Sequence, residues 1–204
     1  MSWGGQAPDL LDWPIFRGSA PRASWHNHRP GVDAMVTAPL DTRSFRKTVG
    51  HFVTGVTVVV FEDGEGVTRA MTANSFTSLS LEPPLVLFCV GKESRTGQAI
   101  HEATRFSINI LAEHQRDLSQ FFAGAWRSAE LPAFNFVDWA GRPRLEGCAA
   151  ALACDLYAIH EGGDHWIVVG RVIGVETCQS EARPLVFFRG GYGMLVPGGA
   201  AAGV

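Results

Sequence analysis

The sequence is dominated by β-rich runs that follow one another with only short turns between them. Two long runs, CAAALACDLYAIHE and HWIVVGRVIGVET, are separated by Gly162-Gly163-Asp164, a combination typical of a hairpin turn. Earlier in the chain, GVTVVVFE and GVTRAMT are joined by Asp63-Gly64-Glu65-Gly66, which is a second hairpin signal. Because the strands are so numerous and so consecutive, they predict antiparallel neighbours and exclude a doubly wound βαβ fold.

The whole pattern predicts about seven strands and two or three helices. The helices are expected to begin near Asp41, near Ser94 or Thr96, and near Glu113. The apolar face of the first helix is Phe45, Val49 and Phe52, and the buried side of the third is Leu118, Phe121 and Phe122. A closed or partly closed β-barrel with flanking helices is the economical arrangement, because closure removes exposed strand edges. The predicted fold class is therefore mainly β, with helices at the flanks.

Residues 1–40 differ from the rest, since they contain five prolines and three tryptophans without a sustained period. They predict an irregular N-terminal arm, which is either a disordered extension or appended leader, or a segment that docks through its aromatic residues. Docking on the body or on a partner subunit is the favoured interpretation. The arm is followed by one domain over residues 41–196 and a flexible tail over residues 197–204. The aromatic residues of the arm are Trp3, Trp13 and Trp25.

The composition excludes several classes of function. With 46% hydrophobic residues the chain can form a substantial core, and a net charge of −3 argues against nucleic acid as a partner. No secretory signal and no apolar stretch long enough to span a bilayer is present, so we predict a cytoplasmic protein without a membrane partner. The cysteines form no CxxC pair and do not cluster with histidine, which predicts reduced thiols and no zinc site. They are Cys89, Cys148, Cys154 and Cys178.

The stretch Met71–Val90, MTANSFTSLSLEPPLVLFCV, combines two different halves. Residues 72–80 are rich in hydroxyl and amide side chains, whereas residues 85–90 are almost purely apolar. One interpretation is a solvated Ser/Thr loop that precedes a core strand. The other is a loop that holds a polar ligand with neutral donors against a rigid strand.

The segment after this strand, GKESRTG over residues 91–97, has the features of an anion site at the start of a helix. An ordinary helix cap with a solvated lysine and arginine is the alternative. His165 follows the second hairpin turn and is either a surface residue or a ligand contact. Asp164 is expected to point to the opposite face of the strand, so that no Asp–His dyad is predicted.

Sequence signals for protein-borne catalysis are missing from the chain. It contains no GxSxG elbow, no GxGxxG fingerprint and no evident pair of carboxylates. A polar cradle next to an apolar barrel, without an acid, base or nucleophile, predicts that a cofactor supplies the chemistry.

The run from Phe45 to Tyr192 resembles the short-chain flavin reductases, the reductase components of two-component flavin monooxygenases. The matching pieces occur in the family's order: FRKTVGHFVTGVTVVV, TANSFTSLSLEPPLVLFCV, KESRTGQAI, FSINILAEHQRDLSQFFAG, GDHWIVVGRV and PLVFFRGGYG. The resemblance implies an FMN-binding split β-barrel that binds FMN or FAD and is usually a homodimer. The forty-residue arm departs from the family, whose members often begin close to the first helix.

The resemblance also implies roles for individual residues. Thr72, Ala73, Asn74 and Ser75 would line the ribityl chain and ring edge of the flavin. Cys89 and Val90 would contact the flavin from the next strand, and Lys92, Ser94 and Thr96 would hold its phosphate. His165 would lie near the nicotinamide, and Tyr192 would stack on the flavin or close the pocket.

The implied activity is that of an NAD(P)H:flavin oxidoreductase, which transfers hydride from nicotinamide C4 to flavin N5 and supplies reduced flavin to a separate monooxygenase. FMN or FAD, and NADH or NADPH, remain open at this point. Two alternatives remain: a flavin-dependent reductase of a metal or corrinoid acceptor, and a non-enzymatic flavin-binding module.

Overall fold

The computed structural model describes residues 40–178 and 182–195. The predicted docking of Trp3, Trp13 and Trp25 and the predicted flexible tail lie outside these residues.

The described chain contains three α-helices, two 3₁₀ turns and twelve strands. The α-helices are α1 (Thr42–Val49), α2 (Arg95–Ala99) and α3 (Arg116–Phe122), and the 3₁₀ turns are Ile100–Glu102 and Glu113–Gln115. The first six strands are β1 (Thr54–Gly55), β2 (Thr57–Glu62), β3 (Thr68–Ala73), β4 (Thr77–Leu81), β5 (Pro84–Gly91) and β6 (Arg105–Ile110). The other six are β7 (Phe136–Trp139), β8 (Arg142–Leu145), β9 (Ala150–Gly162), β10 (His165–Thr177), β11 (Val186–Phe188) and β12 (Gly191–Gly193).

Seven strands form the main sheet, in the order β3-β2-β6-β9-β10-β5-β4, and all of the neighbours are antiparallel. Both predicted hairpins are present. Asp63 shapes the β2–β3 turn, because its carboxylate accepts the backbone N–H groups of Glu65 and Val67 and the Nε–H of Arg69. In the β9–β10 turn, Gly163 has a φ of 70°, a conformation that costs glycine little.

The main sheet rolls up because its two edge strands are consecutive in the chain. Only residues 74–76 connect β3 at one edge to β4 at the other. Four Cα steps span at most about 14 Å, so the two edges must approach each other. No ladder pairs β3 with β4 among the described residues, which leaves an open seam along the barrel. The predicted split β-barrel is therefore confirmed.

The barrel interior is filled by apolar side chains from most of its strands. Phe61, Phe88 and Phe106 are fully buried, and the rings of Phe88 and Phe106 meet edge to face at 5.5 Å. Burial of each such side chain stabilises the fold by about 1.5–3 kcal/mol. Strand β2 is buried on both faces, because its alternate residues Val58 and Val60 pack into a second cluster outside the barrel.

This second cluster holds α3 and the remaining strands against the barrel. It contains Val56, Val58, Val60, Leu111, Leu118, Leu145 and Leu185. Asn109 links it to the sheet, because its amide donates to Val58 O and its Oδ1 accepts the backbone N–H of Leu145. The β7–β8 hairpin belongs to this outer layer through Phe136 and Leu145.

Two other expectations differ from the structure. Residues 72–80 were expected to form a loop, but Thr72 and Ala73 end β3 and residues 77–80 lie on β4. A hydroxyl-rich segment can form an edge strand when it pairs on one side, as β4 does with β5. Helix α1 ends at Val49, so Phe52 of the predicted apolar face lies beyond the helix, and no residue of α1 is buried among the described residues.

Across residues 40–178 and 182–195, none of the helices has both the length and the apolar character that crossing a membrane requires.

Candidate functional site

A groove lies along the open seam of the barrel, and we call it the seam groove. Its larger part is a cavity of about 510 Å³ between β3, the end of β5, the start of α2 and the end of α3. A smaller part of about 200 Å³ continues towards β12. Thr72 and Ala123 line both parts, so the two parts are continuous. The lining consists of residues 70–72, 90–91, 94–96 and 121–124, together with Val56, Asn74, Ser119, Phe187 and Tyr192.

Hydrogen bonds join the three elements that form the narrow part of the seam groove. The Thr72 hydroxyl donates to Ser119 O at 2.7 Å, which ties β3 to α3. The Ser119 hydroxyl is 2.9 Å from the Tyr192 hydroxyl, which ties α3 to β12. The ring of Tyr192 packs edge to face on Phe187 at 5.4 Å. These contacts give the narrow part a fixed lining of hydroxyl groups and aromatic rings.

The turn between β5 and α2 forms one end of the wide part. Ser94 caps α2, because its hydroxyl accepts the backbone N–H of Gly97 at 2.9 Å and donates to Gly91 O at 2.8 Å. Gly97 packs directly on the carbonyl of Gly91, so closely that a Cβ atom at position 97 would overlap its oxygen. This contact sets Ser94 and Thr96 beside the end of β5.

Of the two cations in the predicted anion site, the structure places one in the lining of the groove. The Lys92 ammonium lies 3.2 Å from Glu161 and 4.4 Å from the ring centre of Trp166, and both partners belong to the β9–β10 hairpin. Arg95 lines the wide part instead. The same arginine borders an outer depression whose lining includes Asp63 and Glu102.

Several predicted residues support the seam groove from outside its lining. The Ser75 hydroxyl accepts the backbone N–H of Cys89 at 2.9 Å and lies 3.3 Å from its carbonyl oxygen, which fastens the 74–76 connection to β5. Ala73 is buried, and its carbonyl accepts the hydroxyl of Thr57. Val90 borders the groove, but its side chain is only 1% exposed and belongs to the barrel core.

His165 lies next to the groove rather than in it. It pairs with Gly91 across β5 and β10, and its Nε2 lies 3.8 Å from where a Cβ atom of Gly91 would be. Its Nδ1 is 2.8 Å from Asp164 Oδ1. This hydrogen bond lowers the pKa of the Asp164 carboxyl. The expectation that Asp164 points away from His165 is wrong, because Asp164 belongs to the two-residue turn, where strand alternation does not apply.

Sequence reasoning missed the wall formed by the end of α3. Phe121 and Phe122 were expected in the core, but both line the wide part of the groove. Their rings pack on Phe134 at 5.5 and 5.0 Å, so the wall is rigid and aromatic. Amphipathic spacing identifies an apolar face but cannot tell a core from the wall of a cavity.

A separate cavity of about 600 Å³ lies beside the Glu113–Gln115 turn, and its lining includes His114, Asp117 and Glu146. It contains none of the predicted site residues. Over the described part of the chain, no cluster of three or more His, Cys, Asp or Glu side chains is placed to hold a metal ion. The seam groove, where predicted residues from four elements meet, is therefore the candidate site.

Comparison with known proteins identifies the family of this chain. Residues 49–195 match the model of the flavin reductase like domain. The chain is 40% identical over 171 residues to the flavin-dependent monooxygenase reductase subunit HsaB of Rhodococcus jostii, covering 82% of this chain and 85% of that protein. It is 39% identical over 168 residues to the FMN reductase (NADH) SmoA of Agrobacterium fabrum, covering 80% of this chain and 92% of that protein.

A solved structure shows the same fold. The NADH:FAD oxidoreductase SgcE6 of Streptomyces globisporus, in complex with NAD and FAD fragments, superposes with a TM-score of 0.71. It is 34% identical in sequence, and the match covers 82% of this chain and all of the other.

The contact between Gly97 and Gly91 predicts the effect of adding one methyl group. In Gly97→Ala the new Cβ meets backbone, which cannot rotate away, so we expect the free energy of unfolding in urea to fall by about 2 kcal/mol. Gly91→Ala is the matched control, because its nearest neighbour at 3.8 Å leaves room, and its change should stay within about 0.5 kcal/mol. Equal stabilities of the two variants would contradict the described packing.

Proposed function

The chain belongs to the flavin reductase like family, and we propose that it binds a flavin in the seam groove and NADH or NADPH beside His165. It is an enzyme, a nicotinamide-dependent flavin reductase. One observation supports this location of the flavin site. The lining of the groove brings together predicted residues from separate parts of the chain, namely Thr72, Asn74, Ser94, Thr96 and Tyr192.

The lining of the seam groove suits a flavin. The volume of the wide part lies within the range of about 300–1,000 Å³ that is typical of small-molecule sites. Its apolar wall, with Phe121 and Phe122, offers a surface for a flat ring system. Thr72 and Asn74 offer neutral polar groups, which suit an uncharged polyol chain.

The phosphate of the flavin would be held at the start of α2. Ser94 and Thr96 supply hydroxyl groups there, and Arg95 supplies the positive charge. Helix α2 has only five residues, so the arginine rather than the helix dipole would provide most of the attraction. Lys92, which was also predicted for this role, contacts Glu161 and Trp166 in the structure, and its part in phosphate binding stays a prediction.

His165 would position the nicotinamide. Because the ionised Asp164 carboxylate accepts from Nδ1, the proton of neutral imidazole stays on Nδ1 and leaves Nε2 as an acceptor on the Gly91 side. Nε2 can then accept a hydrogen bond from the amide of the nicotinamide. The lowered pKa of Asp164 keeps this carboxylate charged throughout the neutral range.

Once flavin and nicotinamide are bound, hydride passes from nicotinamide C4 to flavin N5. The residues of the groove contribute by orientation, since holding two reactants in near-attack geometry is worth about 7–11 kcal/mol in favourable model systems. No side-chain acid or base is needed for this transfer. The product is passed to a separate oxygenase component.

The active form is proposed to be a homodimer. Helix α1 and the segment after it expose Phe45, Val49 and Phe52, of which Phe52 is 77% exposed. Helix α1 is therefore amphipathic, yet its apolar side has no cover within the described chain. A second copy that buries these side chains would gain free energy from the hydrophobic effect.

The reaction is tested by mixing the protein with NADH or NADPH and free FMN or FAD, and following the nicotinamide absorbance. We expect flavin-stimulated oxidation, and its absence would favour a non-enzymatic flavin-binding module.

In Arg95→Gln, the apparent affinity for flavin should fall about tenfold, because a hydrogen bond to a charged group is worth about 1.5 kcal/mol. Arg171→Gln, which alters an arginine stacked on Tyr157 on the outside of β10, should retain its affinity. Equal flavin affinities in the two variants would argue against the phosphate site.

The proposed role of His165 predicts separate effects on the two substrates. His165→Ala should raise KM for NADH or NADPH several-fold and leave KM for flavin nearly unchanged, because the residue borders the groove without lining it. His160→Ala, an exposed histidine on β9, is the matched control and should alter neither value. Unchanged kinetics in His165→Ala would remove this residue from the nicotinamide site.

The homodimer is tested by light scattering coupled to size exclusion. We expect a mass of twice the 22.0 kDa of one chain. Phe52→Asp should shift the mass towards that of one chain, because a charge in an apolar interface is costly. A wild-type mass of one chain at micromolar concentration would refute the dimer.

A further inference from the structure

Two cysteines that the proposed reaction does not use lie together at the open end of the β9–β10 hairpin. Cys148 precedes β9 and Cys178 follows β10. The two strands are paired up to their ends, because Ala150 lies opposite Thr177 and the backbone N–H of Cys178 donates to Ala149 O at 2.9 Å. The sulfur atoms of the two cysteines are 3.6 Å apart.

The two thiols have different surroundings. Cys148 is fully buried, and its thiol points at Asn109 Oδ1 at 3.9 Å. Burial, with the nearby Cys178 sulfur as a second cause, raises the pKa of Cys148 to about 12. Cys178 is half-buried. It is therefore the more exposed of the two cysteines.

Arg144 fixes the accessible sulfur in place. Its Nη1 donates to Cys178 Sγ at 3.1 Å and to Glu176 Oε1 at 2.7 Å. The guanidinium also lies 5.7 Å from the ring centre of Trp139, on the same β7–β8 hairpin as Arg144. Arg144 therefore holds the Cys178 sulfur in position beside Cys148.

We propose that Cys148 and Cys178 are a redox modification site, at which a hydroperoxide converts the two thiols into a reversible disulfide. The Cys178 thiolate attacks the peroxide and takes one oxygen to become a sulfenic acid, and the O–O bond breaks to release an alcohol, or water where the oxidant is hydrogen peroxide, after protonation. The Cys148 sulfur then displaces the hydroxyl of the sulfenic acid, which leaves as water with the proton of the Cys148 thiol, and the S–S bond forms. Two electrons pass from the pair of thiols to the peroxide, and a dithiol reductant returns them.

The geometry needs little adjustment for this bond. A disulfide has an S–S distance of about 2.05 Å, so the two sulfurs must approach by roughly 1.5 Å, which side-chain rotation can supply. The backbone on both sides is already held by the β9–β10 ladder. The bond would join the two ends of the long hairpin covalently.

Neither cysteine lines the seam groove. The pair lies at the opposite end of β10 from His165, and a strand of this length spans at most about 40 Å. Substitution of either cysteine should therefore leave the basal flavin reductase activity unchanged.

The site is tested on the full chain by peroxide treatment after reduction and desalting. Remaining thiols are alkylated under denaturing conditions, and the protein is digested without reductant. We expect a peptide pair that joins Cys148 to Cys178, an intact mass lower by two hydrogen atoms, and recovery of both thiols with dithiothreitol. Recovery of both cysteines as alkylated thiols, when the half-buried control Cys89 has been oxidised, would overturn the proposal.

Three variants sharpen the result. Cys178→Ser and Cys148→Ser should each abolish the cross-link, and Cys148→Ser should leave a sulfenic acid at Cys178 that dimedone traps. Cys89→Ser, on β5, should form the cross-link as the wild type does. A cross-link that persists in Cys178→Ser would contradict the assignment. The wild-type peptide map shows whether the disulfide forms even where a serine variant folds poorly. The oxidised wild type should also have a higher melting temperature than the reduced wild type.

Discussion

The fold depends on a short connection between the two edges of its main sheet. Residues 74–76 link β3 to β4, which stand at opposite ends of a seven-stranded order. So short a link is compatible with this order only if the sheet curls into a barrel. The Ser75 hydroxyl holds the link in place through the backbone of Cys89. Because β3 and β4 do not pair with each other, closure leaves a seam, and the seam is where a ligand can reach the barrel wall.

The polar and aromatic side chains that line the seam groove come from elements that are far apart in sequence. Strand β3 contributes Thr72, α3 contributes Ser119 and its aromatic end, and β12 contributes Tyr192. The β5–α2 turn closes the wide part, where the contact of Gly97 with Gly91 leaves no space for a larger residue. A site built in this way is rigid before any ligand enters, which reduces the ordering cost of binding.

The parts of this architecture that were predictable have strong local signals. The hairpins have glycine-rich turns between β-rich runs, and Ser94 has the chemistry of a helix cap. Strand β4 was missed because its hydroxyl-rich sequence gives no alternating pattern, and its pairing with β5 decides its conformation. The sequence also does not predict the orientation of Lys92, because this orientation depends on Glu161, which is 69 positions away in the sequence. The groove residues 121–124 were missed because helical periodicity does not reveal what an apolar face packs against.

The β9–β10 hairpin has a separate proposed site at each of its two ends. Its turn brings Asp164 and His165 beside Gly91, where the ladder with β5 fixes the distance to the seam groove. Its open end brings Cys148 and Cys178 together, where the ladder between the long strands fixes the distance between the sulfurs. The two ends are held by the same ladder of backbone hydrogen bonds and lie a full strand length apart. Chemistry at the cysteines can therefore change the covalent state of the hairpin without displacing Asp164 and His165, the residues proposed to face the nicotinamide.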